Sequence, residues 1–339
     1  MGMDEAALEA ELSEPLPEVV AAAGRLAGDV IVLGASGKMG PSLVAQLARA
    51  TGAAGVKRTI SAVARFSDSG ARRALERLGV GVIAADLLDP AAVALLPDAP
   101  NVIYLVGQKF GTTGDLARTW AVNATLPGFV AARFAESRIV IFSTGNVYPL
   151  WPATSAGPTE TDPIGPVGDY AKSAAARERV FEHYAERLGT RMAILRLNYA
   201  VEPRYGVLRD LADRVRSGQP VDLTMGFVNV IWQRDANAVA IRALERCAVP
   251  PLVVNLTGRP AVSVRALAVA FGRRFGMAPI FEGQEADTAL LSNASRCVEL
   301  FGEAPVSVDA MIDRVAAWIE AGGRSLGKPT HFEERSGAF

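Results

Sequence analysis

The chain has 339 residues, half of them apolar, with 35 basic and 36 acidic side chains and a formal charge of −1. That is enough to fold one large α/β domain or two ordinary ones without disulfide staples. Balanced charge with no block of one sign argues against a nucleic-acid or anionic-membrane surface, and two histidines nearly exclude a histidine-built zinc site, so no metal is expected. Cys247 and Cys297 lie far apart, outside Cys-x-x-Cys spacing, which fits a reducing compartment. No apolar run reaches the roughly 18 residues a membrane span needs. The acidic start, with Asp4, Glu5, Glu9, Glu11 and Glu14, is unlike a secretory leader, and the expected location is the cytoplasm.

Residues 1–28 are acidic, Ala-rich and interrupted by Pro15 and Pro17; they read as a short extension helix or a partly disordered arm. From Asp29 onward short β-branched runs alternate with helix-length spacers, at Val30–Leu33, Ile60–Ala64, 80–84, 102–106, 139–142 and 192–195. Such runs, bounded by Gly, Asp or Ser, predict a parallel sheet covered on both faces, hence a doubly wound, Rossmann-type α/β fold. The spacers include helices at 116–134, bent or entered near Pro127, and at 171–188, stopped by Gly189. Beyond Leu195 the alternation weakens: helical stripes at 207–216, 235–247, 263–275 and 308–320 are separated by strand-like runs at 227–232 and Leu252–Leu256. The expected division is a nucleotide-binding domain at 29–196, joined by a later strand from about 225–245, and a smaller mixed α/β substrate region at 197–224 and 246–321. Residues 322–339, with Gly, Ser, Lys and Pro, read as a mobile tail.

The run Gly34-Ala35-Ser36-Gly37-Lys38-Met39-Gly40 follows a buried-strand pattern and opens a helix, where a pyrophosphate-binding turn belongs. Glycines let the backbone turn tightly, and free N–H groups at a helix start meet phosphate charge. The expected ligand is a nicotinamide dinucleotide, held also by Arg65, Asp86, Leu87 and Val106 at the ends of the next strands. Arg65 ends the second strand, where an arginine pairs with the 2′-phosphate of NADP, so NADP is favoured over NAD, with Lys38 as a second phosphate contact. Asp86 either accepts from the adenine amino group or caps the helix that Pro90 begins.

Taken together, Gly34, Gly37 and Gly40 at Gly-x-x-Gly-x-x-Gly spacing, Asp86, Asn123, the segment Ser143-Thr144-Gly145-Asn146-Val147-Tyr148, Tyr170 and Asp235 resemble the extended short-chain dehydrogenase/reductase family, of the NAD-dependent epimerase/dehydratase type, over residues 29–320. The resemblance implies that Tyr170 is the catalytic acid/base, that Thr144 holds the reacting oxygen, and that the chain dimerises through the helices at 116–134 and 171–188. It further implies a lysine four residues after the tyrosine, where this chain has Ala174. Residues advance about 100° each on a helix, so Lys172 points away from Tyr170, and Arg177 returns to the same face only about 10.5 Å further along, too far for an ordinary replacement. The Asn that relatives place three residues after the equivalent of Arg196 falls one residue early, as Asn198, with Tyr199 in its place, which argues against a nucleotide-sugar substrate. Trp232, Gln233, Arg234 and Asn237 either line an altered pocket or pack the core. These residues support an NAD(P)-dependent oxidoreductase, epimerase or dehydratase acting on a sugar-like or other small polar alcohol or carbonyl. The alternative is a non-catalytic dinucleotide-binding sensor or scaffold.

Overall fold

The computed structural model describes residues 4–67, 69–109 and 114–338. Seven strands form one parallel sheet: β1 Val30–Leu33, β2 Ile60–Ala64, β3 Gly81–Ala84, β4 Asn101–Tyr104, β5 Arg138–Thr144, β6 Met192–Leu197 and β7 Leu252–Leu256. Their spatial order is β3-β2-β1-β4-β5-β6-β7, with every pairing parallel. All four residues of β1 and of β4 are buried, as strands covered on both faces must be, whereas β3 is the more exposed edge. Chain order reverses between β1 and β4, and the carboxyl ends of those strands open the crevice where such sheets take ligands.

Two features of the second half differ from the sequence reading. The strand that returns to the main sheet is Leu252–Leu256, paired with β6, and no strand at 225–245 joins it. The run at 227–232 instead splits: Phe227–Val228 pairs antiparallel with Val262–Ser263, and Ile231–Trp232 pairs with Ala200–Val201. An apolar run of five residues identifies a strand but carries no signal for which sheet it joins. The helix expected at 116–134 is a composite of Leu116–Trp120, a π-helical turn Ala121–Thr125 and Leu126–Arg133, so Pro127 stands at the entry of the last segment.

Both ends of the chain are built into the fold. The extension forms helices Glu5–Leu12 and Pro17–Arg25. Leu8 and Leu12, one helical turn apart, join the core of the C-terminal lobe, while Val19 and Ala23 join that of the nucleotide-binding sheet. The acidic side chains find arginines there: Glu9 pairs with Arg204 at 2.5 Å and Glu11 with Arg314 at 2.6 Å. The tail likewise makes contacts with the fold. Phe332 is buried, Thr330 donates to Asp210 from both N and Oγ1, and Arg335 donates to the carbonyls of Thr224 and Thr288. Composition left disorder open for the extension and suggested it for the tail because these partners lie from 47 to 303 residues away in the chain.

Candidate active site

The turn after β1 has the geometry its glycines imply. Gly34 sits at φ +86°, and a Cβ there would lie 3.0 Å from the Val106 nitrogen. At Gly40 a Cβ would meet the Ala35 carbonyl oxygen at 2.3 Å, so the helix Gly40–Ala53 packs against the turn only because the side chain is missing. Within the turn the Gly37 amide donates to Gly34 and the Gly40 amide to Gly37. Among the described residues, the amides of Ser36, Lys38 and Met39 have no protein acceptor. Three open N–H groups at the start of a fourteen-residue helix form an anion cradle, and a nicotinamide dinucleotide fits it.

A cleft of about 530 Å³ runs from this turn past Arg65, Asp86, Leu87 and Val106, which brings together most of the residues singled out for cofactor binding. Arg65 and Asp86 are exposed on its rim. Asp86 accepts from the Leu88 amide; the cap of the helix at Pro90 is Asp89, which accepts from the Ala91 amide. Lys38 departs from its expected role. Its side chain turns away from Arg65 to a second pocket, where Nζ donates to the Ala200 carbonyl at 2.7 Å and lies 4.6 Å from the centre of the Tyr205 ring. It is no second contact for a 2′-phosphate.

That second pocket, about 150 Å³, holds Thr144 and Tyr170 together with Lys38, Lys109, Tyr199 and Thr330. Thr144 is the last residue of β5 and Tyr170 lies in the first turn of the helix Gly168–Leu188; the two hydroxyl groups are hydrogen-bonded. Desolvation pushes the Tyr170 phenol above its ordinary value, opposed by the Arg177 charge and by the bond to Thr144. Arg177 is therefore within electrostatic reach of the phenol, closer in effect than helical spacing alone indicates. Its side chain runs back beneath the carboxyl end of the sheet, donating to the Phe142 carbonyl at 2.9 Å and to Asn123 Oδ1 at 2.7 Å. Asn123, on the π-helical turn, also clamps Gln108 through its amide and carbonyl and donates to Ser173. A side chain at Gly107 would strike the guanidinium, with Cβ 2.8 Å from Nη2. Lys172 is exposed, and Ala174 is buried against Val147 and Tyr148.

Behind the pocket lies a buried ionic support. Glu178 accepts from Arg196 Nε and Nη2 and from the Ser143 hydroxyl, and Arg196 Nη1 donates to Tyr148 at 2.6 Å. Tyr199 is held at φ +47°, a conformation a bulky side chain adopts only when its surroundings compel it. Asn198 is buried and reaches the Leu290 carbonyl. The group around Asp235 is remote: Gln233 and Asn237 donate to Ser42, Trp232 is fully buried, and Asp235 accepts from the Val306 amide. These residues pack the core and brace a helix. Sequence reasoning missed Lys109, Tyr205 and Thr330, which no motif links to Thr144 or Tyr170.

The fold and site define a dinucleotide-binding protein with a tyrosine and a threonine beside the cofactor crevice. The sequence model of the NAD dependent epimerase/dehydratase family matches residues 30–235, and the chain belongs to that family. No curated protein matches it by sequence. Among solved structures it is similar to the UDP-glucuronic acid 4-epimerase of Bacillus cereus in complex with NAD, at 16% identity and a TM-score of 0.72 over 86% of this chain and 99% of that one. It is also similar to the Thermus thermophilus UDP-glucose 4-epimerase complex with NAD, at 20% identity and a TM-score of 0.69 over 85% and 97%. Pal from Bacillus thuringiensis matches at 17% identity, with a TM-score of 0.72 over 86% and 99%.

Proposed function

We propose that this protein is a nicotinamide-dinucleotide-dependent oxidoreductase, epimerase or dehydratase that acts on a small polar alcohol or carbonyl compound. The observation that carries the reading is the hydrogen-bonded pair Thr144 and Tyr170 in a pocket beside the open amides of the glycine turn. The turn would hold the pyrophosphate, Asp86 and Leu87 the adenine, and Arg65 the adenosine ribose. When bound, the dinucleotide supplies or accepts a hydride. Tyr170 then moves the proton at the reacting oxygen while Thr144 donates a second hydrogen bond to it. A phenol raised by desolvation stays protonated at neutral pH, which suits Tyr170 to donate a proton to a forming alkoxide. Arg177 supplies positive charge near the phenol, in a protein whose helix carries Ala174 where the resemblance implies lysine.

Calorimetric titration with NADP and NAD, followed by absorbance at the reduced-nicotinamide band across a panel of carbonyl compounds, tests this reading. Binding without turnover on any substrate would favour the non-catalytic alternative, and activity appearing only in Ala174→Lys would do the same. Absence of dinucleotide binding removes both. Arg65 supports NADP as the preferred form, and the two epimerase structures named above hold NAD; the ratio of the two dissociation constants decides. We further infer a homodimer through the composite helix beginning at Leu116 and the helix Gly168–Leu188. Leu116, Trp120 and Leu188 are large apolar side chains left exposed there, and sedimentation equilibrium of Trp120→Glu against the native chain tests it. Two free cysteines support a cytoplasmic location, which fractionation of the native host cells tests.

A further inference from the structure

The cofactor cleft is lined by charges of uneven sign. Arg65 follows β2, Arg118 lies on the first segment of the composite helix, and Lys328 comes from the C-terminal tail, whereas Asp86 is the one carboxylate among the described lining residues. Lys109 lines the cleft as well and is already engaged, donating to the Thr330 carbonyl at 3.1 Å. The side chains of Arg65, Arg118 and Lys328, by contrast, make no hydrogen bond or ion pair with the described residues. Unpaired cations beside open backbone amides suit a ligand that carries phosphate.

Of the three, Lys328 alone is delivered from outside the nucleotide-binding sheet and its helices. It lies two residues before Thr330, which lines the reacting pocket, donates to Asp210 and accepts from Lys109. Lys109, in the segment after β4, lines both cleft and pocket. The tail therefore passes where the two adjoin, on the β4 side of the glycine turn, while Arg65 stands on its β2 side. Lys328 also borders a hollow that contains Asp210, Asp213 and Glu333. Those carboxylates are taken by Thr330, Arg209 and Arg214, which leaves the exposed Lys328 ammonium without an acidic partner among the described residues.

We propose that Lys328 is a cofactor-binding residue that donates to the pyrophosphate of the bound dinucleotide, together with the open amides of Ser36, Lys38 and Met39, and so makes the C-terminal tail part of the nucleotide site. This rests on the functional reading above and deepens it. In the order β3-β2-β1-β4-β5 the glycine turn, after β1, stands between Arg65 and Asp86 at one end and Thr144 at the other. A dinucleotide with its adenosine at the first end and its nicotinamide toward the second carries its pyrophosphate past that turn. Backbone amides and a helix dipole meet phosphate with partial charges, and an ammonium group from the tail adds a full one.

The test is calorimetry of the full chain with NAD and NADP, native against Lys328→Ala and Lys328→Arg. Lys328→Ala should weaken both dinucleotides by about fivefold or more, as loss of one charge-assisted hydrogen bond implies, and Lys328→Arg should keep most of the affinity. The gap between native and Lys328→Ala should shrink as salt rises from about 0.05 to 0.5 M, because counterions screen a charge on an open cleft. Hydrogen exchange in the peptide around Lys328 should slow when NAD is added to the native chain, and slow less in Lys328→Ala. Equal affinities in native and Lys328→Ala, or exchange around Lys328 that NAD leaves unchanged, overturn the proposal. Weakening of NADP alone overturns it as well and assigns the tail to the 2′-phosphate. A native chain that binds neither dinucleotide removes the functional reading and this inference together, whereas native binding that Lys328→Ala leaves intact removes only the role of the tail.

Discussion

The cofactor crevice and the reacting pocket are neighbours built in opposite ways. The crevice is built mostly from the turns that follow four neighbouring strands, the glycine turn after β1 and the segments after β2, β3 and β4. The pocket is gathered from residues 38, 109, 144, 170, 199, 205 and 330, from almost the whole length of the chain. Local stereochemistry makes the first, and long-range packing makes the second. Lys38 shows the contrast within one residue, since its amide belongs to the cradle while its side chain crosses to the pocket.

Perturbations should separate along that line. The largest effect is expected for Tyr170→Phe, which removes the proton donor: turnover should fall by about 10²–10⁴, with the dinucleotide dissociation constant unchanged. Loss of dinucleotide binding in that variant would mean that pocket and crevice are not separable. Arg196→Met leaves Glu178 buried without its cation and should cost about 3–5 kcal/mol in urea unfolding, a structural penalty with no change of cofactor preference. Gly40→Ala drives Cβ into the Ala35 carbonyl and should cost about 1–3 kcal/mol while weakening dinucleotide binding, so damage should appear in the crevice first.

Smaller effects follow from the buried amines. The Lys38 value is depressed from its ordinary 10.5 to about 7, so between those values the unfolded chain binds the extra proton. Its contribution to stability therefore rises with pH from about 7 to 10.5 and is lowest below 7. Lys38→Met removes that penalty and should raise Tm at pH 7 by roughly 2–6 °C, and a flat Tm profile in both proteins would show that the amine is solvated. The smallest effect is expected for Arg65→Ala, which lies on an exposed rim: NADP should weaken by about tenfold or less, with NAD unaffected.

How far the sequence spoke depended on the range of the contacts involved. The six early strands were legible because each is an apolar run with its own boundaries, and the turn at Gly34 because its glycines are needed locally. The seventh strand was visible as a run, but its place beside β6 was not, since partner choice depends on the crossover that delivers it. Helical spacing put Arg177 far from Tyr170, yet a long flexible side chain runs back beneath the sheet to Phe142 and Asn123. The acidic extension could be read as helix or arm, and the polar tail as mobile, because their arginine, threonine and carboxylate partners are remote in the chain.

The sequence by itself determined the alternating α/β fold, the phosphate-binding turn and the candidate tyrosine and threonine, because apolar periodicity, glycine stereochemistry and short motifs act over a few residues. Only the tertiary structure decided that Lys38 faces Tyr205, that Lys109 lines the same pocket, and that Thr330 of the tail reaches it. Those outcomes depend on how distant segments share a limited volume and satisfy one another's charges, and no window along the chain contains that information.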